Sequence, residues 1–201
     1  MKERPILFCG EMIKALIEGR KTQTRRIIKD YQQYACLTGG CPHDSSHQCA
    51  VELEQSAPLG KPGDRLWVRE NFAIRGICCG MKPSEAAKFA SKEAWVYEAD
   101  NPTWSAGWRP SIHMPRVASR LTLELTAVRA ERLQDISFAD AAAEGVWTWE
   151  LSDAKTKPGE TLLMHENVSS VDKYRDLWNS INGPGSWDKN PWVWCYSFKK
   201  L

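Results

Sequence analysis

The chain has 201 residues, 42% hydrophobic and 26% charged, with 27 Lys and Arg against 25 Asp and Glu for a net charge of +2. That is the size of one domain, or one domain with a sizeable insertion, and it lacks the basic excess of a protein living on the phosphate backbone. No apolar run approaches the roughly 18 to 20 residues that cross a bilayer, and Met1 to Gly10 lacks the stretch of a signal peptide, so membrane and secretory classes are set aside.

In chain order, Pro5–Phe8 predicts a first strand, and Met12, Ile13, Leu16 and Ile17 carry the 3-4 spacing of an amphipathic helix that stops at Gly19. A basic loop follows, Arg20 to Arg26, with four cations and two threonines. Lys29 to about Lys61 has no periodicity and reads as an insertion. Arg65–Glu70 alternates like a half-buried strand after the Pro62-Gly63-Asp64 turn. A second insertion, about 75–112, holds a short helix over Ser84–Ser91 and a strand over Ala94–Tyr97. Ser119–Arg129 is the clearest strand, with Leu121, Leu123 and Leu125 on one face. Ser137 caps a helix over Phe138–Glu144 that Gly145 ends, and Asp153–Glu166 reads as a polar loop. Val171–Ile181 is an amphipathic helix stopped by Asn182-Gly183-Pro184-Gly185, and Trp192–Phe198 is a last strand. Short strands with few helices predict a single α+β domain, 1–201, built on a small barrel or strongly bent sheet.

Seven cysteines, an odd number with Cys78 and Cys79 adjacent, fit a reducing cytoplasm better than a disulfide framework. Cys36, Cys41, His43, His47 and Cys49 place five zinc-type side chains within fourteen residues at irregular spacing. Reduced thiols are the favoured reading. The alternative is a structural zinc held by Cys36, Cys41 and Cys49 with His43 or His47. Ten Trp suit a dense core or a pocket for a planar ligand.

Within the basic loop Lys21 and Thr24 are three apart, so a turn can bring an ammonium to a hydroxyl. Threonine is a nucleophile only when a base takes its proton, and lysine is that base only if burial or like charges lower its pKa. The competing reading of the same residues is a solvated basic loop that holds phosphate.

The run Gly19-Arg20-Lys21-Thr22-x-Thr24-x-Arg26 after an amphipathic helix, the Pro62-Gly63-Asp64 turn, a long strand and a short helix ending in a carboxylate resemble the ASCH-domain family. Trp67-Val68-Arg69-Glu70, Arg109 to Arg116 and Ile181 to Trp187 resemble its phage and prophage branch. The resemblance runs from Arg4 to Phe198 and implies a PUA-like small β-barrel with flanking helices and the two insertions at about 29–60 and 75–112. It also implies a function. One small bacterial branch is similar to an amidohydrolase that removes the acetyl group from N4-acetylcytidine, with catalytic positions matching Lys21, Thr24 and Glu144 here.

The expected site is therefore Lys21 as base, Thr24 as nucleophile and Glu144, protonated in an apolar niche, as acid and later base, with no metal or other cofactor in the catalytic step. A variant of the scheme lets Glu144 direct water while Lys21 stabilises the oxyanion and Thr24 only positions. Arg26, on the strand face of Thr24 and opposite Arg25, is expected in the pocket, with Arg69, Glu70 and His113 as further substrate-binding residues. The expected partner is a small modified nucleoside, with no membrane and no obligate protein partner. The rival reading is an RNA- or nucleic-acid-binding module, or a ribonuclease, with Arg20, Lys21, Arg25 and Arg26 on phosphate.

Overall fold

The structure, a computed structural model, describes residues 1–33, 55–78, 80–104, 107–146 and 170–201. The zinc-type residues Cys36 to Cys49 and the loop Asp153–Glu166 lie outside them.

Five strands make the main sheet: β1 (Glu3–Leu7), β2 (Gln23–Ile27), β3 (Arg65–Arg69), β6 (Thr122–Arg132) and β7 (Trp192–Lys200). Their order is β1-β3-β6-β7-β2, parallel between β1 and β3 and antiparallel elsewhere. Two short strands, β4 (Phe72–Ile74) and β5 (Trp95–Tyr97), pair separately. The helices are α1 (Gly10–Ile17), α2 (Pro83–Ala86), α3 (Phe138–Ala143) and α4 (Ser170–Asn182).

The elements are mixed α+β, as the pattern predicts. The barrel is not closed: among the described residues no backbone pairing joins β1 to β2, which remain the two edges. The edges nevertheless meet through side chains. Arg26 of β2 donates from Nη2 to the Leu7 carbonyl at 2.9 Å, and its guanidinium lies 5.3 Å from the ring of Phe8. The sheet is therefore strongly curled, with a register shift between Leu125 and Ala127 on β6 at the kind of site that adds twist. An open seam is left between its edges.

The core inside this curl holds Ile6, Ile13, Leu16, Leu66, Val68, Leu123, Leu125, Trp194, Tyr196 and Phe198. Leu123 and Leu125 face inward as the period-2 pattern requires. A second cluster, Leu133, Ala141, Tyr174, Trp178, Trp187 and Val193, packs α3 and α4 onto the end of the sheet. The segment 72–118 has its own cluster of Phe72, Ile74, Ala86, Trp95 and Met114. Its expected eight-residue helix is only the four-residue α2, followed by turns.

The basic loop is corrected in part. Its second half is strand β2, paired with β7 as Thr24 opposite Tyr196 and Arg25 opposite Cys195. Long-range pairing overrides a local composition that reads as a solvated loop.

Candidate active site

The seam opens into a cleft of about 860 Å³ lined from both edge strands, by α4 and by the end of α3. That size is within the range of small-molecule sites. Lys21, Thr24, Arg25, Arg26 and Glu144 are among its polar lining, while Met12, Leu59, Leu177, Trp178 and Ile181 are among its apolar lining.

Lys21 arrives there because α1 ends sharply. Gly19 adopts φ +77°, and the Lys21 N–H donates to the Ala15 carbonyl at 3.0 Å. Glu144 arrives because α3 ends equally sharply. Ser137 caps the helix by accepting from the Asp140 N–H, Glu144 is the C-cap, and Gly145 turns the chain at φ +87°. A Cβ at Gly145 would stand 2.9 Å from the Cβ of Ala15 and 3.1 Å from that of Lys21, so the two turns touch. The Thr22 N–H donates to the Ala143 carbonyl at 2.8 Å, and Arg20 donates to the Gly145 carbonyl at 3.0 Å.

Lys21 is 3% exposed and Glu144 is 2% exposed. Lys21 Nζ donates to Glu144 Oε2 at 2.7 Å and to the Glu144 carbonyl at 2.8 Å. Burial pulls the Lys21 amine below its ordinary value, Glu144 offsets part of this, and Arg26 adds to the lowering. The other carboxylate oxygen, Oε1, accepts from Arg25 Nη1 at 3.1 Å and from the Tyr174 hydroxyl at 3.4 Å. Burial raises the Tyr174 phenol well above its usual value, so it stays a donor. Thr24, 1% exposed, lines the cleft beside them, and its hydroxyl bonds neither Lys21 nor Glu144.

The three residues singled out from the sequence thus line one cleft. Two expectations about their surroundings change. The niche of Glu144 is not apolar: two cationic side chains and a phenol converge on the carboxylate. Arg25 does not point away from the site either. It is the arginine bonded to Glu144, while Arg26 donates to the Leu7 and Arg25 carbonyls and lies over Phe8. Strand alternation does place Thr24 and Arg25 on opposite faces, but both faces of β2 are covered, and α3 lies over the Arg25 side.

Arg69, Glu70 and His113 do not line the cleft. Glu70, 2% exposed, is held by Arg120 at 2.8 and 2.9 Å, and burial raises its carboxyl while Arg120 lowers it. Arg69 lies over Trp67 at 4.5 Å and donates to the Ile112 carbonyl. His113 is exposed on a 3-10 turn. The stiff Arg109–Arg116 segment instead caps the second insertion, burying Met114, whose sulfur accepts from the Glu70 N–H. Sequence reasoning set Arg25 on phosphate in the rival reading and missed its bond to Glu144, and it missed Asp140, which stands 3.4 Å from Arg25 Nη2. The signal for Asp140 was its i, i+4 spacing from Glu144 around an otherwise alanine-rich helix.

No helix among the described residues is long and apolar enough to cross a membrane, and no group of three or more His, Cys, Asp or Glu among them is arranged to hold a metal ion. No protein-family model and no curated protein sequence matches the chain. It is similar to the crystal structure of an ASCH domain from Lactobacillus crispatus JV V101, at 10% identity and a TM-score of 0.40, over 99% of this chain and 79% of that one.

Proposed function

We propose that the chain is an amidohydrolase that removes the acyl group from the exocyclic amine of an N4-acylcytosine nucleoside. The observation that carries this reading is the buried 2.7 Å contact of Lys21 with Glu144 in a cleft that Thr24 also lines. Moving one proton across that contact turns an ammonium and a carboxylate into an amine and a carboxylic acid. Burial favours the uncharged amine. The pair then holds the base and the acid that amide cleavage requires.

In the favoured sequence Lys21 takes the Thr24 proton as the Thr24 oxygen bonds the acyl carbon. The carbonyl electron pair moves to oxygen, where N–H donors of the site stabilise it. As the C–N bond breaks, Glu144 gives its proton to the departing cytosine amine. Its carboxylate then deprotonates water, whose oxygen bonds the acyl carbon as the bond from that carbon to the Thr24 oxygen breaks. Lys21 returns its proton to the Thr24 oxygen, so the acid departs and the pair is left with a single proton, on Glu144. The apolar lining from Leu177, Trp178 and Ile181 suits a planar base and an acyl chain.

The phosphate-binding reading has less support. Lys21 and Arg25 are 3% and 2% exposed and both committed to Glu144, and Arg20 is bonded to Glu18 and Gly145. Contact with a nucleic-acid backbone would have to break those pairs. Incubation of the protein with N4-acetylcytidine, with cytidine followed by chromatography, tests the choice. Hydrolysis should proceed and respond little to salt. Absence of cytidine together with oligonucleotide binding that weakens steeply with salt would reverse it.

A further inference from the structure

Behind Glu144 lies a set of charges that the reaction scheme does not use. Arg25 presents one edge to Glu144 and the other to β6 and α3. Its Nε donates to Glu131 Oε1 at 2.7 Å, its Nη2 stands 2.6 Å from the same oxygen, and Asp140 Oδ2 is 3.4 Å from Nη2. Arg129 closes the group, donating to Glu131 Oε2 at 2.7 Å and to Asp140 Oδ2 at 3.0 Å.

Register explains why the two arginines are together. Arg25 on β2 and Arg129 on β6 both pair with Cys195 on the intervening β7, so they occupy one row across three strands. Two guanidiniums in such a row repel, and the carboxylates of Glu131 and Asp140 lie between them. Asp140 and Glu144 are one turn apart on α3, so a single guanidinium reaches both.

Three cations, Lys21, Arg25 and Arg129, thus face three carboxylates, Glu131, Asp140 and Glu144. Among the described residues, other titratable or charged groups around the pair include Arg26 on β2, Cys9 before α1, Tyr174 on α4, and Cys195 and Tyr196 on β7. Burial pushes the Cys195 thiol up to about 12, so it stays neutral. Neutralising Glu131 or Arg25 therefore changes the net charge beside Lys21 and Glu144 by one.

We propose that Arg25 is the positioning residue of the Lys21–Glu144 pair, and that Glu131 and Asp140 set how much of its charge that pair feels. The proposal rests on the amidohydrolase reading for its catalytic meaning, but the charge relation stands on geometry alone. Arg25 fixes the Oε1 side of the carboxylate so that Oε2 stays on Lys21. Its charge is shared with Glu131 and Asp140, so Glu144 is not drawn away from Lys21.

The test is the titration of the Lys21 side chain by NMR on lysine-labelled protein, its signal assigned by loss in K21R, together with the pH profile of kcat/KM. Arg25→Gln removes a positive charge, so the Lys21 midpoint should rise by about one pH unit. Glu131→Gln removes a negative one, so the midpoint should fall by a similar amount. Arg25→Lys keeps the charge but cannot bridge two carboxylates with a planar fork, so the midpoint should stay near wild type while kcat falls more than KM changes. If R25Q does not fold, E131Q and D140N carry the test, both shifting downward. Shifts of the same sign for R25Q and E131Q, or no shift in either, would overturn the proposal. Opposed shifts in a protein that releases no cytidine refute the amidohydrolase reading and leave Arg25 in this role. Hydrolysis without the shifts does the reverse.

Discussion

Replacing Glu144 by Gln keeps the shape of the side chain and removes the charge that Lys21 and Arg25 both contact. Arg25 retains Glu131 and Asp140, but Lys21 has no other carboxylate partner among the described residues. Removing one member of a buried pair costs about 3–5 kcal/mol, because the survivor stays buried and unpaired. With only Lys21 stranded, the low end, about 3 kcal/mol at neutral pH, is expected. With an m-value of about 2 kcal/mol/M, the urea midpoint should fall by about 1.5 M.

The pH dependence has a definite sign. Burial already holds the Lys21 amine below its ordinary value, and losing Glu144 removes the term that offsets this. An amine that binds its proton more weakly folded than unfolded makes the unfolded state the better proton acceptor. Stability then rises with pH between the folded and unfolded pKa values, and the penalty is complete below the folded one. E144Q should therefore regain part of its loss in urea melts at about pH 9.5, near the ordinary lysine value of about 10.4. Adding Lys21→Met should restore about 2 kcal/mol to E144Q at pH 7, since the stranded charge is gone. An E144Q protein within about 1 kcal/mol of wild type, or a double variant no more stable than E144Q, refutes the ion-pair account.

Four further outcomes are expected. Thr24→Ala should lower kcat on N4-acetylcytidine roughly a thousandfold while Thr24→Ser keeps a measurable rate; Ala within tenfold of wild type would remove Thr24 as nucleophile. Gly145→Ala should cost about 1–2 kcal/mol in denaturant melts from its positive φ and impair hydrolysis as well, because the new methyl meets Ala15 and Lys21. His113→Ala and Arg69→Ala should leave kcat/KM within about twofold of wild type, in keeping with positions off the cleft, whereas a tenfold loss would bring them back to the substrate. Exhaustive chelation should leave the rate unchanged, since Lys21, Thr24 and Glu144 supply base, nucleophile and acid; loss rescued by zinc would contradict this.

Most strands were legible in the residue pattern because one face of each is buried. Leu121, Leu123 and Leu125 marked β6, although its pairing with β7 carries it on to Arg132. α4 was legible from Tyr174, Leu177 and Trp178, whose 3-4 spacing packs onto α3 and the sheet end. β2 was half hidden, since Gln23 to Arg26 has no apolar alternation and is a strand only through β7. The same cause hid Arg25: alternation tells which face a side chain takes, not whether that face is covered. Lys21 and Thr24 were readable as types and spacing, and Glu144 only through the family resemblance, because its partnership with Lys21 spans more than a hundred residues of chain. The chemistry of the carboxylate's surroundings came from three elements at once and had no local trace.

The central claim is that Lys21, Thr24 and Glu144 together hydrolyse an N4-acyl amide. The most direct measurement is the rate of cytidine release from N4-acetylcytidine by wild type, K21A, T24A and E144A, each shown to be folded and compared at equal concentration. The account predicts release by wild type and its near-complete loss in all three variants. No release by folded wild-type protein, or release undiminished in the variants, would contradict it.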